Sequence, residues 1–363
     1  MNTDDKNDLF ECLAAEQSSP APRAVLLYGM GNGADKIITH LSSKNVPVAD
    51  FFASDGFVRG QIFHEKRVLS FTEVKKRYTP DACVILLAFG SARPEVLEAI
   101  QTIASTYELL VPDMPVCGGP VFDAPFYNAH KTEIAAARAV FSDEASKELF
   151  DSIIDYRLSG SLDTLLHAVS EKCAWDYLRT SPRPIRRIAD LGAYTGDSAR
   201  DALERFPLSF ILAAEPDRHN FRKLSAWSST LTNCETECHQ VAICDRVGVA
   251  DFDDSGNRNA GLCTGKARVT VSTATLDSLL YGRAVDYIKY DIEGAESEAL
   301  VGSAQTIRAH TPALRVALYH RSADLFSIPL QLQEYASRYD FYLTRERSVP
   351  AWDIDLVAIP KNS

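Results

Sequence analysis

Short apolar runs recur along the chain, and most of them end in a glycine or an acid. Ala24 to Tyr28 runs into Gly29-Met30-Gly31-Asn32-Gly33-Ala34-Asp35, after which Ile37, Ile38 and Leu41 fall on one helical face. Val46 to Ala53 and Cys83 to Phe89 read as further buried strands, the second followed by Gly90-Ser91. Strands alternating with helical stretches predict parallel βαβ units. Residues 20–120 are therefore expected to form a small Rossmann-like α/β domain, its strand series ending near Pro115. From Asn128 to Trp175 the period turns helical. Ile134, Ala137, Val140 and Phe141 share one face, and Leu149, Ile153, Ile154 and Leu158 another; Gly160 closes that second helix, and Ser161 to Ser170 predicts a third. Residues 121–185 are expected as a helical bridge and linker, with Arg179 to Arg187 the best linker. From 186 to 363 an α/β series returns, with strands expected at 187–191, 210–214, 239–243, 285–290, 314–319, 340–344 and 355–359. The last two lie too close for an intervening long helix, so they predict an antiparallel hairpin.

Within that pattern the run Asp190-Leu191-Gly192-Ala193-Tyr194-Thr195-Gly196-Asp197 predicts a strand, a tight turn and a helix. Glycines in such a turn let the backbone approach a ligand where a Cβ would collide. The next apolar strand, Phe210 to Ala214, ends in Glu215-Pro216-Asp217, and a carboxylate there can accept both hydroxyls of a ribose. The spacing Asp-x-Gly-x-x-x-Gly suits a cationic amino-acid nucleoside better than a pyrophosphate, which points to S-adenosylmethionine. Asp190, Gly192, Ala193, Tyr194 and Gly196 would shape the loop around its methionine part, with Asp190 in reach of the α-ammonium. Glu215 and Pro216 would meet the ribose, and the strand ending at Ala242-Ile243 the adenine. The competing reading is an ordinary strand-to-helix turn with Asp197 and Ser198 as capping groups.

Val285 to Glu296 carries Asp291 to the carboxyl end of a strand, the crevice where open α/β sheets bind ligands. Asp291 and Glu293 would stand beside the transferable methyl, and the pair could bind a divalent cation or orient a substrate hydroxyl. Glu296 reads instead as helix N-terminal chemistry. Val316 to His320 is another strand with its polar residue at the carboxyl end. His320 could be a general base, or simply structural.

The earlier Gly29, Gly31 and Ala34 fit Gly-x-Gly-x-x-Ala between a strand and a helix, with Asp50 or Asp55 available as a ribose acid for a second nucleotide. A Rossmann-like domain kept for recognition or dimerisation, and hence a homo-oligomer, explains the same residues.

Composition narrows the partners. A net charge of −11, from 38 basic and 49 acidic residues, disfavours nucleic acid and anionic lipid. The one basic cluster, Arg179, Arg183, Arg186 and Arg187, is broken by prolines and reads as a solvated linker. No apolar run approaches the length of a membrane helix, which needs about 18 residues. Met1 to Lys6 is polar and acidic, unlike a signal peptide, so a cytoplasmic setting is expected. The eight cysteines, Cys263 among them, lack zinc spacing and are expected as reduced thiols.

Taken together, Asp190 to Asp197, Glu215-Pro216-Asp217, Thr275 to Leu280, Ile288-Lys289-Tyr290-Asp291-Ile292-Glu293-Gly294-Ala295-Glu296 and Leu318-Tyr319-His320 resemble the FkbM-type methyltransferases. The strand-four word, Lys-x-Asp-x-Glu-Gly-x-Glu, is the most specific, and the likeness spans roughly residues 187–360. The segment from Leu149 to Gly160 also resembles segments preceding this domain in bacterial members. The resemblance implies a seven-stranded class I methyltransferase fold and S-adenosylmethionine-dependent methylation of a hydroxyl on a sugar or small molecule, often for surface polysaccharide or secondary metabolite synthesis. It fixes neither acceptor nor mechanism. The rival readings are an NAD-dependent oxidoreductase or nucleotide-sugar-binding protein centred on the first domain, and an assembly protein that binds S-adenosylmethionine without turnover.

Overall fold

The computed structural model describes residues 8–253 and 268–362. Cys263 and the acidic start Met1 to Lys6 lie outside them. Among the described residues, no helix is long and apolar enough to cross a membrane, and the seven described cysteines are free thiols.

Two parallel-stranded sheets organise the chain. The first holds β1 (Ala24–Tyr28), β2 (Val48–Ala53), β3 (Leu69–Ser70), β4 (Cys83–Leu87) and β5 (Leu109–Leu110) in the order β3-β2-β1-β4-β5. All four of its pairings are parallel. β1 and β4 are almost entirely apolar because helices cover both faces of the sheet. The expected strands are present here, and the helix after the glycines spans Asn32–Ser43.

Five helices then run between Ala124 and Leu178. The two longest, Lys131–Val140 and Glu144–Ser159, bury Ile134, Ala137, Leu149, Ile153 and Ile154, the apolar faces that the spacing predicts. Gly160 ends the second in the left-handed conformation, at φ 63°. The third is shorter than expected, Leu162–His167.

The second sheet comprises β6 (Arg187–Leu191), β7 (Phe210–Ala214), β8 (Glu235–His239), β9 (Tyr287–Tyr290), β10 (Ala313–Ala317), β11 (Tyr339–Arg345) and β12 (Ile354–Pro360). Their order is β8-β7-β6-β9-β10-β12-β11, with β12 antiparallel to both neighbours. The closing hairpin is thus as expected. One strand is not. The sheet's third member is Glu235–His239, paired with β7, while Ala242–Ile243 joins a separate three-stranded sheet beside Arg268–Ala274. Glu235-Thr236-Glu237-Cys238-His239 is an edge strand that keeps one side toward water, so apolarity alone points past it to the next, more hydrophobic residues.

The halves are joined tightly. Arg157 of the helical segment sits with its Nε 2.9 Å from Asp113 Oδ2 and donates through Nη1 to the Ser322 carbonyl at 3.1 Å. Ser91 and Val349 exchange backbone hydrogen bonds of 2.7 and 2.9 Å. Gly90 leaves the space occupied by the Trp352 indole, since a Cβ there would lie 2.1 Å from the ring.

Candidate active site

The carboxyl ends of β6, β7, β9 and β10 open onto a cavity of about 740 Å³. Gly192, Tyr194, Glu215, Pro216, Ala242, Asp291, Glu293 and Tyr319 line it. So do Gly90 to Arg93 and Val116 from the first α/β half, and Trp352 and Asp353 from the last hairpin.

Its floor is the glycine loop. Gly192 adopts φ +78°, and a Cβ would lie 1.9 Å from the Asp291 carbonyl oxygen. The loop therefore has to be glycine for β6 and β9 to bring Asp190 and Asp291 side by side. The Gly192 and Ala193 amides both donate to the Ala214 carbonyl at 3.0 Å, fixing the loop against the end of β7. Ala193 is fully buried beneath it. Gly196 leaves room for Trp227, whose ring a Cβ would approach to 2.4 Å. Tyr194 takes a positive φ of 51°, and its amide donates to Glu215 Oε2 at 2.8 Å. The Asp217 amide donates to Glu215 Oε1 at 3.0 Å. Those two bonds aim the carboxylate, and its remaining acceptor sites face the cavity. Burial pushes the Glu215 carboxyl up to about 7.

Asp190 is buried, and neither carboxylate oxygen has a hydrogen-bond partner among the described residues. Burial raises it to about 6 against the pull of Lys289, whose Nζ lies 3.6 Å away. Lys289 is the residue that sequence reasoning passed over. It sits in the otherwise apolar β9, 3.2 Å from Asp291 Oδ2, and donates to the Gly192 carbonyl at 3.4 Å. A lysine inside a fully buried strand was the signal available. Burial opposes its charge, but Asp291 and Asp190 outweigh that and hold it protonated. Burial likewise opposes ionisation of Asp291, yet Lys289 and His320 bring it down to about 2.

His320 is fully buried and does not line the cavity. Its Nδ1 lies 2.9 Å from Glu296, and its Nε2 lies 3.4 Å from Glu293 and 3.6 Å from Asp291. Burial works against its charge, but these carboxylates lift it to about 10. Of the two readings of His320, this nest favours the structural one: an imidazolium held by carboxylates has no free lone pair, and the residue does not line the cavity. Glu296 also accepts from the Ile292 and Gly294 amides at 2.9 and 3.4 Å, so its role is structural. Glu293, at φ 54°, is held in the left-handed region. The first half braces this loop, for the Cys117 thiol donates to the Glu293 carbonyl at 3.0 Å and the Cys117 amide to the His320 carbonyl at 3.0 Å.

The divalent cation expected at Asp291 and Glu293 finds no support in the geometry: among the described residues, no group of three or more His, Cys, Asp or Glu is placed to hold a metal. Lys289 and His320 already supply the positive charge that these carboxylates need.

The glycine motif of the first half opens on a crevice of about 180 Å³, lined by Met30, Gly33 and Met114 and covered by Pro350 and Trp352. Ligand sites usually occupy about 300–1,000 Å³, so a nucleotide would have to displace that cover. Lys36 donates to the Pro115 and Val116 carbonyls at 2.8 Å each. Of the two expected ribose acids, Asp50 bonds Arg77 and Tyr78, and Asp55 bonds Thr72. The structure therefore does not gather Gly29, Gly31, Ala34 and Asp55 around an open site.

A parallel sheet closed by one reversed strand, with a glycine loop after β6 and an acid after β7, defines a Rossmann-like methyltransferase fold. Within it, residues 190–341 match the family model described as the Methyltransferase FkbM domain. The solved structure of a methyltransferase FkbM from Methylobacillus flagellatus KT shares the fold over both halves. Its TM-score is 0.69 at 17% identity, covering 98% of this chain and 95% of that one. A precorrin-6y C5,15-methyltransferase from Geobacter metallireducens GS-15 aligns with 52% of this chain and 86% of its own, at 10% identity and a TM-score of 0.33. That overlap is too loose to carry an argument. No curated protein matches the chain.

Proposed function

We propose that this protein is an S-adenosylmethionine-dependent O-methyltransferase acting on a hydroxyl of a small molecule or sugar, in surface polysaccharide or secondary metabolite synthesis. One observation carries the cofactor: Glu215 faces the cavity, and one strand away, behind the cavity-lining Gly192 and Lys289, Asp190 is buried with both oxygens lacking hydrogen-bond partners. Those two acids are the complement of an amino-acid ammonium and a ribose diol. The cavity is large enough to hold the cofactor with space left over, and the remainder is walled by Ser91, Trp352 and Asp353. The cofactor supplies an electrophilic methyl on a sulfonium. Asp190 would hold its ammonium and Glu215 its ribose hydroxyls, and Lys289 keeps Asp190 and Asp291 from repelling one another. The first half closes over the acceptor side and excludes water, a role that needs no nucleotide of its own.

Calorimetry with S-adenosylmethionine tests the binding reading. Glu215→Ala should weaken affinity roughly tenfold or more, since hydrogen bonds to charged groups are worth about 1.5–3 kcal/mol. Unchanged affinity would move the ribose elsewhere. Mass spectrometry for S-adenosylhomocysteine, with glycosides, nucleotide sugars and polyketide alcohols as acceptors, tests the transfer. Product formed only with amines would overturn the hydroxyl assignment.

A further inference from the structure

We propose that the Asp353 carboxylate is the general base that takes the acceptor's hydroxyl proton during methyl transfer. The proposal rests on the methyltransferase reading above and supplies the group that reading lacks once His320 is removed from the role.

Asp353 reaches the site through the register of the reversed strand. Ala317 pairs with Asp355, and the Leu318 amide donates to the Ile354 carbonyl at 2.9 Å. The next step along both strands sets Asp353 beside Tyr319 at the mouth of the cavity, which both residues line. The Tyr319 hydroxyl in turn donates to Asp291 Oδ1 at 3.3 Å. Asp353 thus lines the same cavity as Gly192 of the glycine loop.

The acids around the cavity differ in what already holds them. Asp291 is paired with Lys289 and His320, Glu293 with His320, and Asp355 with Arg315 at 2.6 Å. Asp197, Glu346 and Asp353 also line the cavity and form no ion pair with any described residue; of the three, Asp353 is the one that the strand register sets beside Tyr319. Its backbone is held at φ 56°, in the left-handed region that Asp and Asn tolerate. The groups facing it are Asp355, Asp291 and Glu346, which disfavour its charge, and Arg315, which favours it. Asp353 stays exposed to solvent at the cavity mouth, and desolvation by the surrounding wall, with its acidic neighbours, raises its carboxyl to about 6, close to what proton abstraction at neutral pH needs.

The step balances. The acceptor oxygen forms the new C–O bond as the C–S bond breaks, and that bond's electron pair stays on sulfur. The hydroxyl proton passes to an Asp353 oxygen and from there to solvent at the cavity mouth.

Asp353→Asn is the informative variant, because asparagine tolerates the left-handed conformation and should fold. Two measurements decide the matter. Infrared difference spectra of wild type against Asp353→Asn, taken across a pH series, should contain a protonated-carboxyl band that vanishes near pH 6. This readout needs neither cofactor nor acceptor. In methyl transfer, Asp353→Asn should lower kcat on the order of 10²–10⁴-fold and lose the rise in kcat with pH, while S-adenosylmethionine affinity is unchanged. Asp353 already ionised at the acid end of the series, or a variant with near-normal turnover, overturns the proposal. Wild-type protein that fails to bind S-adenosylmethionine would overturn the cofactor reading instead, and the infrared result would still stand on its own.

Discussion

His320 and Glu296 form a charge pair away from water, and such pairs report on their partners when one is cut. The folded-state value of about 10 for His320 lies above the roughly 6.5 of an unfolded histidine. Its contribution to stability is therefore complete below about pH 6.5 and is lost as pH rises toward 10. Thermal unfolding of the wild type should show that decline. His320→Ala should flatten it and cost roughly 3–5 kcal/mol, because Glu296 is left buried without a counter-ion. Parallel pH profiles for the two proteins would mean that the histidine is neutral in the fold. The same residue shows what the chain leaves open: its place at a strand end says where it is, while its neighbours decide its charge.

Loops and strand ends carry the chemistry at the element scale, and each is held by contacts that its own sequence does not contain. Gly192 is the sharpest case. Gly192→Ala places a methyl 1.9 Å from the Asp291 carbonyl at a positive φ, so β6 and β9 must separate. We expect a loss of stability on the order of 3 kcal/mol, together with loss of S-adenosylmethionine binding. Circular dichroism melts and calorimetry would check both, and a variant that binds normally would show that the loop has another way to pack. Gly31, at φ +94° with nothing within 4 Å of a Cβ, is free of such crowding. Its neighbours Gly29 and Gly33 are crowded instead by Phe89 and by the Ala88 carbonyl, which a Cβ would approach to 2.8 and 2.4 Å, so in the first motif the close packing falls on either side of Gly31.

Across the whole molecule, the first half and the helical segment act as a wall for the second half's site. Arg157 links all three through Asp113 and Ser322. Burial raises the Asp113 carboxyl against the pull of Arg157, so removing the guanidinium strands a buried acid. Arg157→Ala should cost roughly 3–5 kcal/mol and split a single thermal transition into two, as the halves cease to unfold together. Scanning calorimetry would show this, and one unbroken transition at the wild-type temperature would mean that the backbone bridge between Ser91 and Val349 suffices to couple them.

Much of this was legible in the chain itself. Apolar runs determined β1, β2 and β4 of the first sheet and every strand of the second except β8, while the two-residue edge strands β3 and β5 are too short to show as runs; the reversed hairpin followed from the short interval between its strands. Asp190, Gly192, Glu215 and Asp291 could be named because strand-to-turn chemistry is local: a glycine or acid at the end of an apolar run shows up within a few residues. Asp353 could not be found that way, since it lies just before an antiparallel strand whose register alone brings it to Tyr319. Nor could the covering of the first glycine motif by Pro350 and Trp352, which come from more than three hundred residues further along. The charge states of Asp291 and His320 depend on buried partners in Lys289, Glu293 and Glu296. Periodicity records which face of an element is buried; only the packed fold decides which charges share that burial, and electrostatic energy depends on distance through space rather than along the chain.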